Sequence, residues 1–103
     1  MAMRKTLDID KVYLGFRLAE KFNKDEQFRN EIESALNKFV NCDFGDLCGD
    51  DISANFEAIE KKIEKVYGNY FTKYGNILII TEMYNLCTTI MFADEYWIIV
   101  NYN

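Results

Sequence analysis

The hydrophobic pattern of this chain changes period near Gly68, and that change restricts its fold more than any other feature. Upstream, apolar residues recur at intervals of three and four, the mark of amphipathic helices. Downstream, β-branched and aromatic residues gather in short runs that suit strands. Helices first and strands later predict an α+β fold, with three N-terminal helices followed by a small antiparallel sheet of three or four strands. The 103 residues suit a single domain, 1–103, with one core.

Ile9, Val12, Phe16, Ala19 and Phe22 predict a first helix starting after Asp8 or Asp10, with Leu14 and Leu18 widening its apolar face. Asn23 reads as the cap of a second helix, with Glu26 three positions on as in a capping box. Phe28, Ile32, Ala35, Leu36, Phe39 and Val40 form its stripe, and the two helices are expected to pair as a hairpin. Ile52, Phe56, Ile59, Ile63 and Val66 give the cleanest helical spacing, for a third helix from about Asp51 that stops at Tyr67-Gly68. Phe56 and Ile59 are expected in the core. Strands are expected at 70–74, 77–81 and 88–92, and a fourth at 97–100. Gly75-Asn76 reads as a hairpin turn, and 83–86 as a second turn. Proline is absent, so glycine and Asx residues supply the punctuation.

The net charge of −5 is unevenly spread. Residues 41–60 hold six acids and no base, a segment charge of −6 that exceeds the net charge of the whole chain. This balance opposes direct nucleic-acid binding, which needs a basic footprint to replace counterions. It suits a basic partner or a solvated surface. No apolar run approaches the roughly 20 residues of a membrane span, and the N-terminus shows no signal-peptide pattern. The three cysteines, Cys42, Cys48 and Cys87, are an odd number in a chain without an export signal, so reduced thiols and a cytoplasmic setting are expected.

Histidine is absent, which removes the usual general base at neutral pH and the commonest transition-metal ligand. No zinc spacing and no phosphate-binding loop is present. Asp43-Phe44-Gly45 copies the magnesium tripeptide of kinases without any of its companion motifs, and reads as coincidence. Asp43, Asp46, Asp50 and Asp51 miss the EF-hand spacing; they read as a solvated turn whose acids cap the third helix. Glu82 with Asp94 or Glu95 is the one conceivable acid/base pair, and Glu82 reads more simply as a turn residue. No catalytic residue, cofactor or metal is expected.

Three stretches carry a resemblance. They are Asn41-Cys42-Asp43-Phe44-Gly45-Asp46; then Asp51, Asn55 and Ala58; then Ile77-Leu78-Ile79-Ile80-Thr81-Glu82, Thr88-Thr89-Ile90 and Glu95-Tyr96. Together they resemble a family of small "plasmid-related" proteins of plasmids, phages and bacterial accessory regions, with the pattern N-D-W/F-G-D, I-I-T-E, T-T-I and E-Y. The chain departs from that family at Tyr84-Asn85, where the family often has Asp-Arg. The resemblance implies a mobile-element setting and no particular activity.

Size, acidity and this resemblance lead to one expectation: a phage or mobile-element accessory protein that binds a host macromolecule. An anti-CRISPR-like inhibitor of a nucleic-acid-binding protein fits it, with Asp43, Phe44, Asp46, Leu47, Asp50 and Asp51 meeting a basic surface of a host or defence-system protein. The alternative is a self-associating accessory or toxin–antitoxin component, a homodimer exchanging the 97–100 strand. A small metal-dependent hydrolase is the third reading.

Overall fold

The structure, a computed structural model, describes residues 7–96. Its first element is a strand. Val12-Tyr13-Leu14 is a β-prone triplet, and it forms β1 (Val12–Leu14) in parallel register with residues 88–90. Helix α1 (Phe16–Lys24) starts only after Gly15. The expected helical stripe fails here because its members are not on one buried face. Val12 and Phe16 are exposed, Phe16 by 82%, while Leu18 is fully buried.

A single residue, Asp25, separates α1 from α2 (Glu26–Val40). Asp25 has an extended backbone, and its carboxylate accepts from Phe28 N–H at 3.1 Å. It caps α2 in place of Asn23, which remains inside α1. The stripe of α2 behaves as its spacing demands: Phe28, Ile32, Ala35 and Phe39 are buried.

Helix α3 (Gly49–Lys61) ends earlier than its apolar spacing suggests. Lys62 and Glu64 both take positive φ, 56° and 60°, and reverse the chain into β2 (Lys65–Thr72). Ile63 is left exposed, and Val66 is buried on the strand. Here a period of two competes with one of 3.6 and wins: Val66, Gly68 and Tyr70 all face the core. The change of texture therefore falls at Lys62, and Tyr67-Gly68 lies within a strand.

β2, β3 (Gly75–Glu82) and β4 (Cys87–Phe92) form an antiparallel meander, and β1 joins the free side of β4. The order β1-β4-β3-β2 makes the sheet mixed, not purely antiparallel. The first hairpin turns at Lys73-Tyr74, with Gly75 at φ 117°, two residues before the expected Gly75-Asn76. The second turns at 83–86 as expected. A short helical turn at 93–96 follows β4, and the strand expected at 97–100 lies outside the described residues.

One sheet face carries Val66, Tyr70, Ile77, Ile79, Ile90 and Phe92, and it is covered by helices. Phe28 of α2 stacks on Phe92, and Phe39 sits over Gly68. Thr81 and Thr88, both fully buried and directly opposed, share a hydroxyl hydrogen bond of 2.7 Å. Among the described residues, no helix is long and apolar enough to cross a membrane.

Candidate partner-binding surface

β2 is an edge strand, and its outward N–H and C=O groups need partners. Two different devices supply them. Asn55, 2% exposed on α3, donates through Nδ2 to Tyr67 C=O at 2.8 Å and accepts from Tyr67 N–H at 3.0 Å. One side-chain amide thus makes both bonds that a neighbouring strand would make. The next outward residue, Asn69, is met by the loop between α2 and α3. Asn69 N–H donates to Phe44 C=O at 3.0 Å, and Asp46 N–H donates to Asn69 C=O at 2.8 Å.

That docking shapes the acidic segment. Gly45 takes φ 74°, and a Cβ there would lie 2.1 Å from Asn69 C=O, so only glycine brings the loop this close. Asp43 folds back on Gly45 N–H, and its C=O accepts from the Tyr70 hydroxyl at 2.8 Å. Burial, together with the nearby Asp43 carboxylate, pushes the Tyr70 phenol well above its ordinary range.

The predicted contact residues divide into two groups. Asp43, Asp46, Asp50 and Asp51 are exposed along the loop and the first turn of α3. None of them forms an ion pair among the described residues, whereas Asp25, Glu57 and Asp94 are neutralised by Lys73, Lys61 and Arg17. Phe44 and Leu47 do not join them at the surface. Phe44 is 3% exposed and meets Phe39 and Phe56 edge-on, and Leu47 packs half-buried against the core. The loop needs an apolar plug to dock on the sheet edge, and Phe44 is that plug.

Two grooves flank the docked loop. One, of about 720 Å³, runs between α2 and the end of β2, with Glu31, Ser34, Asp43, Asp46 and Phe71 among its walls. The other, of about 610 Å³, lies between α3 and β2, against Asn55, Asp51 and Tyr67.

The acid/base pairing considered from the sequence is not assembled. Glu82 is opposite Cys87 at one end of β4, and Glu95 follows Phe92 beyond the other, about 17 Å of strand away. Glu95 has a different task. Buried to 8% exposure, it accepts from Phe92 N–H at 3.0 Å and from Arg17 N–H, in the first turn of α1, at 2.9 Å. Asp94 beside it pairs with the Arg17 guanidinium at 2.7 Å, which lowers the carboxyl and raises the guanidinium. None of Cys42, Cys48 and Cys87 is joined in a disulfide. Among the described residues no group of three or more His, Cys, Asp or Glu side chains is placed to hold a metal.

Asn55, Asn69 and Phe71 were not predicted as site residues. The available signal was a polar Asn55 inside the apolar stripe of Ile52, Phe56 and Ile59. Comparisons of the chain with protein-family models, curated proteins and solved structures found no match.

Proposed function

We propose that this is an accessory protein of a phage or mobile element that acts by binding a basic surface of a host protein, in the manner of an anti-CRISPR-like inhibitor of a nucleic-acid-binding protein. The observation that supports this most is the run of four exposed aspartates, Asp43, Asp46, Asp50 and Asp51, without ionic partners among the described residues. Asp43 and Asp46 project from a loop fixed to the sheet edge by backbone hydrogen bonds, and Asp50 and Asp51 from the first turn of α3 that follows it. A preorganised row of carboxylates attracts a cationic surface with little ordering cost, and it competes there with nucleic acid. The residues that carry the resemblance to plasmid-related proteins favour a role in folding over chemistry: Gly45, Asn55, Thr81, Thr88 and Glu95 hold the loop, the edge, the sheet core and α1.

The test is capture from a bacterial host lysate at low and high ionic strength. It uses the wild type and a variant carrying Asp43→Asn, Asp46→Asn, Asp50→Asn and Asp51→Asn. A basic nucleic-acid-binding protein should be retained at low salt by the wild type alone. Equal retention by the folded variant at every salt concentration defeats the reading.

Self-association is a second reading, favoured by the exposed Val12, Tyr13 and Phe16 at and beside the edge of β1 that no strand pairs among the described residues. A solution mass of one protomer at high concentration excludes it.

A further inference from the structure

We infer that the groove between α2 and the acidic loop takes a short extended basic segment of the partner, paired at the outer end of β2 with the backbone of Phe71. This rests on the basic-partner reading above and adds the conformation and location of the bound segment. In an antiparallel edge strand every second residue turns its N–H and C=O outward. Tyr67 and Asn69 are such residues, and both are satisfied internally. Phe71 is the next in that alternation, and no group among the described residues bonds to its N–H or C=O. Phe71 itself is 68% exposed.

The groove begins at this open position. Its floor includes Tyr70 and Ala35, both buried, and the carboxylates of Glu31, Asp43 and Asp46 stand along it against the single ammonium of Lys38. The side-chain oxygen of Asn69 is buried without a hydrogen-bond partner at the same place. An extended chain adding to the edge has pockets for alternate side chains, and here they would meet acids. The docked 43–46 loop already occupies the edge at Asn69, so continuous pairing with a long strand, including β2 of a second copy, is blocked. What fits is a short segment that makes backbone bonds at one residue and ionic contacts beyond it.

The full-length protein, labelled with nitrogen-15, is titrated with an end-blocked hexapeptide of alternating valine and arginine, and with its valine–glutamate counterpart. The arginine peptide should give saturable shifts at the amides of Phe71, Asn69 and Gly45. Binding should weaken as ionic strength rises from about 0.01 to about 1 M, where the screening length shrinks from about 30 to about 3 Å. Phe71→Pro removes the outward donor at an edge position that tolerates proline, and should weaken binding about tenfold. The shift map of the wild type stands alone if that variant does not fold. Saturable shifts confined to Asp50 and Asp51 overturn this inference while leaving the basic-partner reading intact. No saturable shift with the arginine peptide at low salt, or equal binding of the glutamate peptide, overturns both.

Discussion

Asn55 on α3 and Tyr67 on β2 exchange two hydrogen bonds, 2.8 and 3.0 Å, through one side-chain amide and one backbone residue. The amide stands in for a missing neighbouring strand. Asn55→Ala leaves both Tyr67 groups unpaired in a partly buried setting, and should cost about 1–3 kcal/mol in denaturant melts. Asn55→Asp should cost at least as much, because its second oxygen faces the Tyr67 carbonyl. A loss under about 0.5 kcal/mol for both would show that water replaces the amide freely.

Glu95 bridges the end of β4 and the start of α1. Glu95→Gln keeps the shape but removes the charge at the α1 N-terminus and leaves one oxygen for two donors. A loss of about 1–2 kcal/mol is expected, with protection of the Arg17 amide falling first in hydrogen exchange.

Asp25 caps α2 and also receives the Tyr74 hydroxyl and the Lys73 ammonium. Those bonds, Tyr74 first and then Lys73, hold its carboxyl well below the ordinary range. A carboxyl depressed in the folded state contributes stability above its unfolded pKa of about 3.9, and loses it as pH falls further. The stability gap between wild type and Asp25→Asn should therefore be largest at neutral pH and shrink below about pH 4. A gap that is constant from neutral to acid pH contradicts this.

Phe28 and Phe56 separate full from partial burial. Phe28 is fully enclosed between Tyr74 and Phe92, and Phe28→Ala should cost about 3–5 kcal/mol. Phe56 is half-buried beside Phe44, so Phe56→Ala should cost clearly less, about 1–2 kcal/mol. Equal losses would mean that α3 shields its ring more fully than its exposure indicates.

The thiols differ in access. Cys48 is exposed at the start of α3, whereas Cys42 and Cys87 are half-buried. In the native protein without reductant, alkylation followed by mass spectrometry should modify Cys48 first. All three should react after denaturation.

β3, β4, the face of α2 and the 83–86 turn were legible in the sequence, because each rests on a local period or a turn of the right length, whereas β2 and its hairpin turn were expected too far along the chain. The first element was not. Val12 and Phe16 fit a helical spacing, and only the distant residues 88–90 make Val12–Leu14 a strand. The end of α3 was hidden because Ile63 and Val66 continue two patterns at once, and two positive φ angles decide between them. For the candidate surface, the exposed aspartates were legible as charge. Phe44 was misplaced because an aromatic in an acidic loop gives no sign of whether it faces a partner or its own core. The edge pairing of Asn55 and Asn69 depends on tertiary register, which composition does not encode.

The bond from Arg17 N–H to Glu95 spans 78 positions of the chain. During synthesis, β1 has no sheet to join until residues 88–90 have left the ribosome, and α1 has no cap until Glu95 follows them. The β2–β3 hairpin with α2 closes through shorter loops, without β4, and can assemble earlier. The segment made first is thus completed last, and a nascent chain halted before β4 exposes Val12–Leu14 as an unpaired strand to chaperones and proteases.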